Sequence, residues 1–195
     1  MQKIILASTS PYRAELLQRL GVEFEQVAPN TPEIRKCGET ASAMSLRLAT
    51  EKATSVANRQ FGAIVIGADQ VVEVNGQLLG KPGTVERARA QLRQQSGQLV
   101  SFYSGCAVAF NNDSGDLQLQ SAVHQTRVLF RTLDKQQIDD YLAKDQPFNC
   151  AGSFKAESLG ITLCASIESD DPTSLIGLPL ITLVNLLRQF HPSVV

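Results

Sequence analysis

The stretch that most constrains this fold runs from Ala63 to Pro82, AIVIGADQVVEVNGQLLGKP. It begins with a short, apolar run rich in β-branched residues, which predicts a buried strand over Ala63 to Gly67. This strand is expected to end at Asp69 and to deliver its carboxylate to an edge of the sheet. Asn75-Gly76 then lies between two apolar segments, which is the strongest short-range pattern for a β-hairpin.

A two-residue turn at Asn75-Gly76 fixes the expected register of the hairpin: Val74 faces Gln77, Val72 faces Leu79, and Gln70 faces Lys81. The Lys81 ammonium is therefore predicted to lie near the Asp69 carboxylate. A fixed acid beside a fixed cation suits chemistry on a phosphorylated substrate. The same residues are also compatible with an ordinary surface ion pair, because such pairs are common and weak.

Composition narrows the class of protein. The chain has 195 residues, 43% of them hydrophobic, which suffices for one good core, in one or two lobes, but not for two full domains. The formal net charge is −1, so the chain lacks the basic character typical of nucleic-acid binding. We therefore expect no nucleic-acid partner.

The cysteines and the hydropathy pattern indicate the compartment. The four cysteines show no metal-binding spacing, which is more typical of free thiols in a reducing environment; they are Cys37, Cys106, Cys150 and Cys164. The apolar run after Met1 is too short for a signal peptide, and no stretch approaches the roughly 20 apolar residues needed to cross a bilayer. We expect a soluble, cytoplasmic protein without a membrane partner.

The N-terminal segment predicts a strand, a hydroxyl-rich turn and a helix. Ile4 to Ala7 is the strand, and Ser10 with Pro11 is a typical helix start. Free backbone N–H groups at this helix end, together with Ser8, Ser10 and Arg13, would form an anion site. Ordinary capping also explains Ser10 and Pro11, but it does not explain a cation in the first turn, where the helix dipole disfavours it.

The next segments are predicted from periodicity. Val22 to Val27 alternates as a strand, Ala28 to Thr40 is a polar loop that holds Glu33, and Ala41 to Asn58 is an amphipathic helix that holds Lys52. Taken alone, a loop glutamate and a helix lysine are more typical of solvated side chains than of ligands.

The second half adds further strands and helices, and its order predicts a mixed α/β sheet rather than a purely parallel one. A loop of small residues, CAGSFKAESLG, allows close approach of a ligand to the backbone and carries Lys155 and Glu157. The expected elements are a helix over Thr84 to Gln95, strands over Leu99 to Phe102, Gly105 to Phe110 and Leu117 to Phe130, a helix from Thr132 or Asp134 to Leu142, the loop from Cys150 to Gly160, a strand over Ile161 to Ile167, and a helix over Ile176 to Phe190.

Several motifs together resemble the Maf family of nucleoside triphosphate pyrophosphatases. They are LASTSPYR at Leu6 to Arg13, RLATEKA at Arg47 to Ala53, GADQVV at Gly67 to Val72, GKP at Gly80 to Pro82, AGSFKAESLGI at Ala151 to Ile161 and LIGLPL at Leu175 to Leu180. The resemblance implies a single domain over residues 1–195. Its fold would be a two-lobed α/β unit, similar to the Maf and ITPase-like proteins, with an extended mixed β-sheet flanked by helices and a central active-site cleft.

The resemblance also implies an activity. It predicts hydrolysis of a nucleoside triphosphate between its α and β phosphates, which gives the monophosphate and pyrophosphate. A divalent metal cation such as Mg²⁺ or Mn²⁺ is expected as cofactor, and a homodimer is possible because family members are often dimers.

Family roles carry over to matching positions of this chain. Asp69 matches the proton acceptor, and Glu33 matches an acid of the site, so the two are the expected metal ligands. Ser8, Arg13, Lys52 and Lys81 match the family's phosphate-binding residues, and Ser10 is added to this set from the anion site predicted at the start of the first helix.

Three positions depart from the best-known family pattern. That pattern has a second arginine, a threonine and a glutamine where this chain has Tyr12, Gln70 and Glu157. Pyrimidine-specific members carry the first set, whereas the second set resembles the subgroup that cleaves 7-methyl-GTP, in which the aromatic residue is more typically Trp. The alternatives are a pyrophosphatase for other modified or non-canonical nucleotides, including dTTP and UTP, and a nucleotide-binding regulator of cell division.

Overall fold

A computed structural model describes residues 2–112 and 114–190, which form strands and helices in alternation. In chain order the elements are β1 (Ile4–Ala7), α1 (Pro11–Gln18), β2 (Glu25–Gln26), α2 (Ala41–Ala57), β3 (Ile64–Val74), β4 (Gln77–Leu79), α3 (Val85–Gln95), β5 (Leu99–Asn111), β6 (Leu117–Phe130), α4 (Lys135–Asp145), β7 (Cys164–Glu168) and α5 (Leu180–Phe190). Short 3₁₀ turns lie at Ala151–Ser153, Leu159–Leu163 and Ser174–Ile176.

The strands of the described residues form one mixed sheet in the order β2-β1-β3-β5-β6-β7, with β4 paired to β3. β1 is parallel to β2 and β3, while the β3–β4 and β6–β7 pairs are antiparallel. The mixed α/β prediction is therefore confirmed. Two of the three predicted hairpin pairs are confirmed as well, since Val72 pairs with Leu79 and Val74 with Gln77. β4 ends at Leu79, so the pairing of Gln70 with Lys81 stays a prediction.

Two predicted strand ends are wrong. β3 continues without a break from Ile64 to Val74, so Asp69 lies inside the strand and is buried rather than placed at its edge. β5 likewise runs unbroken from Leu99 to Asn111. In both cases a polar or small residue within an apolar run suggested that the strand ends there. Backbone pairing with the neighbouring strands nevertheless continues past that residue.

Three other elements begin later than predicted. β7 starts at Cys164 rather than at Ile161, because Leu159–Leu163 form a 3₁₀ turn. β2 is confined to Glu25–Gln26, since this outermost strand pairs with β1 at only these two positions. α5 begins at Leu180 rather than at Ile176, and Pro179 directly precedes it. Side chains that precede the helix accept hydrogen bonds from its first N–H groups. Thr173 Oγ1 accepts from Leu180 N at 2.8 Å, and Asp171 Oδ2 accepts from Ile181 N at 2.8 Å.

The chain divides into two compact units. The first comprises Met1–Asp69, Ser104–His124 and Asp171–Val195, and the second comprises Gln70–Tyr103 and Gln125–Asp170. The prediction of a single domain over residues 1–195 stays a prediction.

The first unit has helices on both faces of its strands. Alternate β1 and β3 residues, such as Leu6 and Ile66, pack with α1 and α5, whereas the intervening ones, such as Ile5 and Val65, pack with α2. This two-residue alternation follows from the pleat of a strand. It places the face of β3 that contains Val65, Gly67 and Asp69 on the side of α2.

The second unit contains the hairpin strand β4, helices α3 and α4, and β7. Three aromatic rings meet in its core: the Phe154 ring centroid lies 5.5 Å from that of Phe102 and 5.2 Å from that of Phe130. Phe154 belongs to the small-residue loop, so this loop is anchored by an aromatic cluster.

None of the helices within residues 2–112 and 114–190 is both long enough and apolar enough to cross a membrane.

Candidate active site

The turn after β1 is held by its own hydroxyl groups. Ser8 Oγ accepts from Ser10 N at 3.1 Å, and Ser10 Oγ accepts from Arg13 N at 3.4 Å. Ser10 is the N-cap of α1 and Pro11 is its first residue, as the sequence predicts. Both hydroxyls thus serve the turn itself, and phosphate binding by Ser8 and Ser10 stays a prediction.

Gln26 and Gly177, which sequence reasoning did not select as site residues, make further contacts with this turn and the first turn of α1. Gln26 Nε2, on the edge strand β2, donates to Ser8 O at 3.1 Å. Arg13 Nε donates to Gly177 O at 3.0 Å. Gly177 has φ of +119°, a conformation that favours glycine. One N–H group of Arg13 is therefore used to hold the guanidinium in place.

The polar loop 28–40 is held by side chains of α2 and of the turn that follows it. Ser55 Oγ donates to Pro29 O at 2.5 Å, Arg59 Nη2 donates to Ala28 O at 3.3 Å, and Arg47 Nη2 donates to Ile34 O at 3.0 Å. Arg47 and Ser55 lie eight residues apart on α2, whereas Arg59 lies just beyond the helix end, after the C-cap Asn58.

Arg47 also forms an ion pair with Glu39 of this loop. Its Nε lies 2.6 Å from Glu39 Oε1 and its Nη2 lies 2.8 Å from Glu39 Oε2, a bidentate arrangement. The hydrogen bond from Arg47 lowers the pKa of Glu39 to about 2. These contacts hold the backbone around Glu33, and no local sequence pattern indicated them.

Lys52 joins two of the predicted site residues. Its ammonium donates to Glu33 Oε1 and to Asp69 Oδ1, each at 2.5 Å. Lys52 and Asp69 are 4% and 6% exposed, whereas the Glu33 side chain is 49% exposed. The cluster Glu33–Lys52–Asp69 is therefore buried on one side and open on the other.

The fold explains why Lys52 reaches Asp69. Both lie on the α2 face of the sheet, and Gly67, two residues before Asp69, allows the helix to approach β3 very closely. A Cβ atom at Gly67 would lie only 2.2 Å from Ala49 O and 2.7 Å from Ala53 N. Lys52 lies between those two helix residues in the chain, so the absence of a side chain at Gly67 sets its reach.

Burial raises the pKa of Asp69, and the positive charges of Lys52 and Arg13 oppose this shift. The Glu33 carboxylate adds to the increase, because a second negative charge disfavours ionisation. A carboxylate with a raised pKa is a stronger base than an exposed aspartate, which suits a proton acceptor.

Three predicted residues belong to the second unit. Gln70 lies in β3 and is half-buried, Lys81 follows β4 and is exposed, and Glu157 is exposed in the small-residue loop. The proximity of Lys81 to Asp69 stays a prediction. Among the described residues, the ammonium that contacts Asp69 is that of Lys52, which the hairpin argument did not indicate.

Comparison with known proteins now identifies the family. The family model described as Maf-like protein matches residues 3–190. The chain therefore belongs to the Maf family. Its match includes every candidate site residue, from Ser8 to Glu157, so the recognition from sequence motifs is confirmed.

A curated relative has a substrate in its name. It is called 7-methyl-GTP pyrophosphatase, from Bordetella avium (strain 197N), and it is 48% identical to this chain over 188 residues, which is 96% of this chain and 93% of the relative.

Solved structures with a distant likeness include two Ham1 proteins. The one from Staphylococcus aureus is 13% identical, with 97% of each chain covered and a TM-score of 0.45. The one from Coxiella burnetii is 17% identical, with 84% of this chain and 98% of that chain covered and a TM-score of 0.43.

Proposed function

We propose that this protein hydrolyses 7-methyl-GTP between its α and β phosphates to 7-methyl-GMP and pyrophosphate. The choice of 7-methyl-GTP as the substrate is supported by the 48% identity, over 96% of the chain, to a relative named for this activity. The Glu33–Lys52–Asp69 cluster supports a hydrolytic role, since it combines a buried carboxylate of raised pKa with a cation beside it.

The same cluster fits a divalent metal ion. No three His, Cys, Asp or Glu side chains of the described residues gather into a group that could hold a metal by themselves. However, Glu33 and Asp69 carry two negative charges against the single positive charge of Lys52. Mg²⁺ is typically bound through one or two carboxylates together with substrate phosphates. We therefore propose Glu33 and Asp69 as the protein ligands of Mg²⁺ or Mn²⁺.

In the proposed reaction, Asp69 accepts a proton from the water that adds to the triphosphate as the bond between the α and β phosphates breaks. When bound, a divalent ion supplies electrostatic stabilisation of the charge that develops on the phosphate oxygens. Lys52 orients the Asp69 carboxylate through its 2.5 Å hydrogen bond. Arg13 and Lys81 bind phosphate oxygens, with Ser8 and Ser10 beside Arg13.

Three side chains are proposed to select the base. N7-methylation makes guanine cationic, and a cation favours an aromatic face by about 0.5–2 kcal/mol, which Tyr12 would provide. The N1–H and N2–H groups of guanine are adjacent donors, and the Glu157 carboxylate can accept both in a bidentate, charge-assisted pair. Thymine and uracil lack two adjacent donors. Gln70 has one donor and one acceptor and would bind O6.

The proposal includes a cytoplasmic location, in line with the four free cysteines, because disulfides are rare in reducing compartments. A homodimer is also part of it, from family resemblance, and light scattering would measure the mass in solution.

Pyrophosphate release from a panel of triphosphates tests the function. The panel contains 7-methyl-GTP, GTP, dTTP, UTP and non-canonical purine triphosphates, each with and without Mg²⁺ or Mn²⁺. We expect the highest kcat/KM with 7-methyl-GTP and no turnover after chelation. Preference for another triphosphate would reject the substrate, and binding without pyrophosphate release would favour a nucleotide-binding regulator.

Glu157→Gln tests the base contact, because an amide can accept only one of the two guanine hydrogen bonds. We expect kcat/KM for 7-methyl-GTP to fall by about tenfold or more, since a hydrogen bond to a charged group is worth about 1.5–3 kcal/mol. Activity on UTP should change little. Equal losses on both substrates would remove Glu157 from base selection.

A further inference from the structure

Glu157 lies in a tight turn of the second unit. Ser158 N donates to Lys155 O at 3.3 Å, so residues 155–158 form a four-residue turn with Glu157 in its third position. The direction in which the Glu157 side chain leaves the backbone is therefore set by the contacts that hold the two ends of this turn, Lys155 and Ser158.

Both ends are held by the same residue, Asp145, at the C-terminal end of α4. Lys155 Nζ donates to the backbone oxygen of Asp145 at 2.7 Å, and Ser158 Oγ donates to Asp145 Oδ1 at 2.7 Å. Asp145 is buried, with 9% of its surface exposed, whereas Ser158 is exposed. A helix residue with a fixed position thus ties down a surface turn at two points.

A second residue of α4 fixes the chain just before the turn. The hydroxyl of Tyr141, one helical turn before Asp145, accepts from Lys155 N at 3.0 Å and donates to Ser153 O at 3.3 Å. Burial raises the pKa of Tyr141, so the hydroxyl keeps its proton at neutral pH and can make both bonds. Between these two loop residues, Phe154 packs into the aromatic cluster.

The turn also closes against the backbone that follows it. A Cβ atom at Gly160 would lie 2.3 Å from Lys155 O, so only glycine allows the chain to return so close to the start of the turn. The turn that contains Glu157 is therefore held by bonds to α4, by the packing of Phe154 just before it, and by the close approach of Gly160 just after it.

We propose that Asp145 is a positioning residue for Glu157, and that its bond to Ser158 determines how well the protein selects the guanine base. This inference rests on the proposed function. A carboxylate that must accept two adjacent N–H groups has to be held in one orientation before the substrate arrives, because ordering it on binding would cost affinity. Asp145 provides that order without contacting the substrate.

Matched substitutions at both ends of the bond test this role. Ser158→Ala removes the donor, whereas Ser158→Thr keeps the hydroxyl at an exposed position. Asp145→Ala removes the acceptor, whereas Asp145→Asn keeps an oxygen at the same place. The measured quantity is the selectivity ratio, kcat/KM for 7-methyl-GTP divided by kcat/KM for UTP. Ile138→Val, in the buried face of the same helix, is the control for a small loss of stability.

We expect the selectivity ratio to fall by about tenfold in Ser158→Ala and Asp145→Ala, mainly through KM for 7-methyl-GTP. It should stay near the wild-type value in Ser158→Thr, Asp145→Asn and Ile138→Val. A purely structural role would lower the folded fraction and hence the activity on both substrates equally.

An unchanged ratio in both alanine variants, or an equal loss on both substrates, would overturn the inference while the proposed function stands. A wild-type protein that does not prefer 7-methyl-GTP over UTP would instead reject the proposed function, and this inference with it. The wild-type ratio, measured first, separates the two failures.

Discussion

Gly67→Ala is the substitution that should separate α2 from β3. The added Cβ would lie 2.2 Å from Ala49 O, 2.7 Å from Ala53 N and 2.9 Å from Ala53 Cβ. Ordinary contacts begin at 3.4 Å. Because two of these three atoms belong to the helix backbone, a change of rotamer cannot relieve the clash. The helix must move away from the strand by about 1 Å.

The displacement has a cost in stability and a cost in activity. Inserting a methyl group into a packed interior destabilises a protein by about 1–3 kcal/mol, and we expect about 3 kcal/mol here because the backbone must move. Lys52 lies on the shifted segment, so its 2.5 Å hydrogen bond to Asp69 would lengthen. Misplacement of a catalytic group by about 1 Å can reduce the rate by about 100-fold.

Urea unfolding followed by far-UV circular dichroism measures the first effect, and pyrophosphate release from the folded variant measures the second. Gly105→Ala is a second test of a steric displacement of α2, because a Cβ atom at residue 105 would lie 2.2 Å from Ser45 O of this helix. Gly80→Ala is the stability control, since nothing lies within 4 Å of its Cβ position. Wild-type stability and activity in Gly67→Ala would refute the argument that this close approach sets the reach of Lys52.

Three further predictions concern the charged groups. Asp69→Asn should lower kcat by at least about 100-fold with the circular dichroism spectrum unchanged, because the amide cannot accept the proton; retained turnover would exclude Asp69 as the base. Lys52→Met should raise the pKa of Asp69 further, because an adjacent cation favours the ionised form; carboxyl ¹³C NMR of the metal-free protein measures this, and Lys52→Arg should largely preserve the wild-type value. The lowered pKa of Glu39, about 2, means that its pairing with Arg47 adds stability above the ordinary glutamate value of 4.5 and loses it as pH falls toward 2. Glu39→Gln should therefore flatten the pH dependence of the urea midpoint between pH 4.5 and about 2, and an unchanged slope would contradict it.

Features that depend on neighbours in the chain could be predicted from the sequence. Asn75-Gly76 permits the left-handed backbone of a two-residue turn, and its flanking residues then pair as expected. Ser10, Thr84 and Asp134 are N-caps, since their side chains bond N–H groups three residues ahead. Local patterns did not distinguish Glu33 and Lys52 from ordinary solvated side chains. The Maf motifs identified both as candidate site residues.

Contacts between residues distant in the chain were decided by the tertiary structure alone. Lys52 on α2, seventeen positions from Asp69 in the chain, contacts the Asp69 carboxylate, and no local pattern in the sequence indicated this contact. The sequence likewise did not indicate the hydrogen bonds between Asp145 and the turn that contains Glu157. A strand shows its two-residue alternation in its own sequence, but not which of its faces meets which helix. That choice depends on packing over the whole unit, and here it is set by a helix that can reach Asp69 only because residue 67 has no side chain.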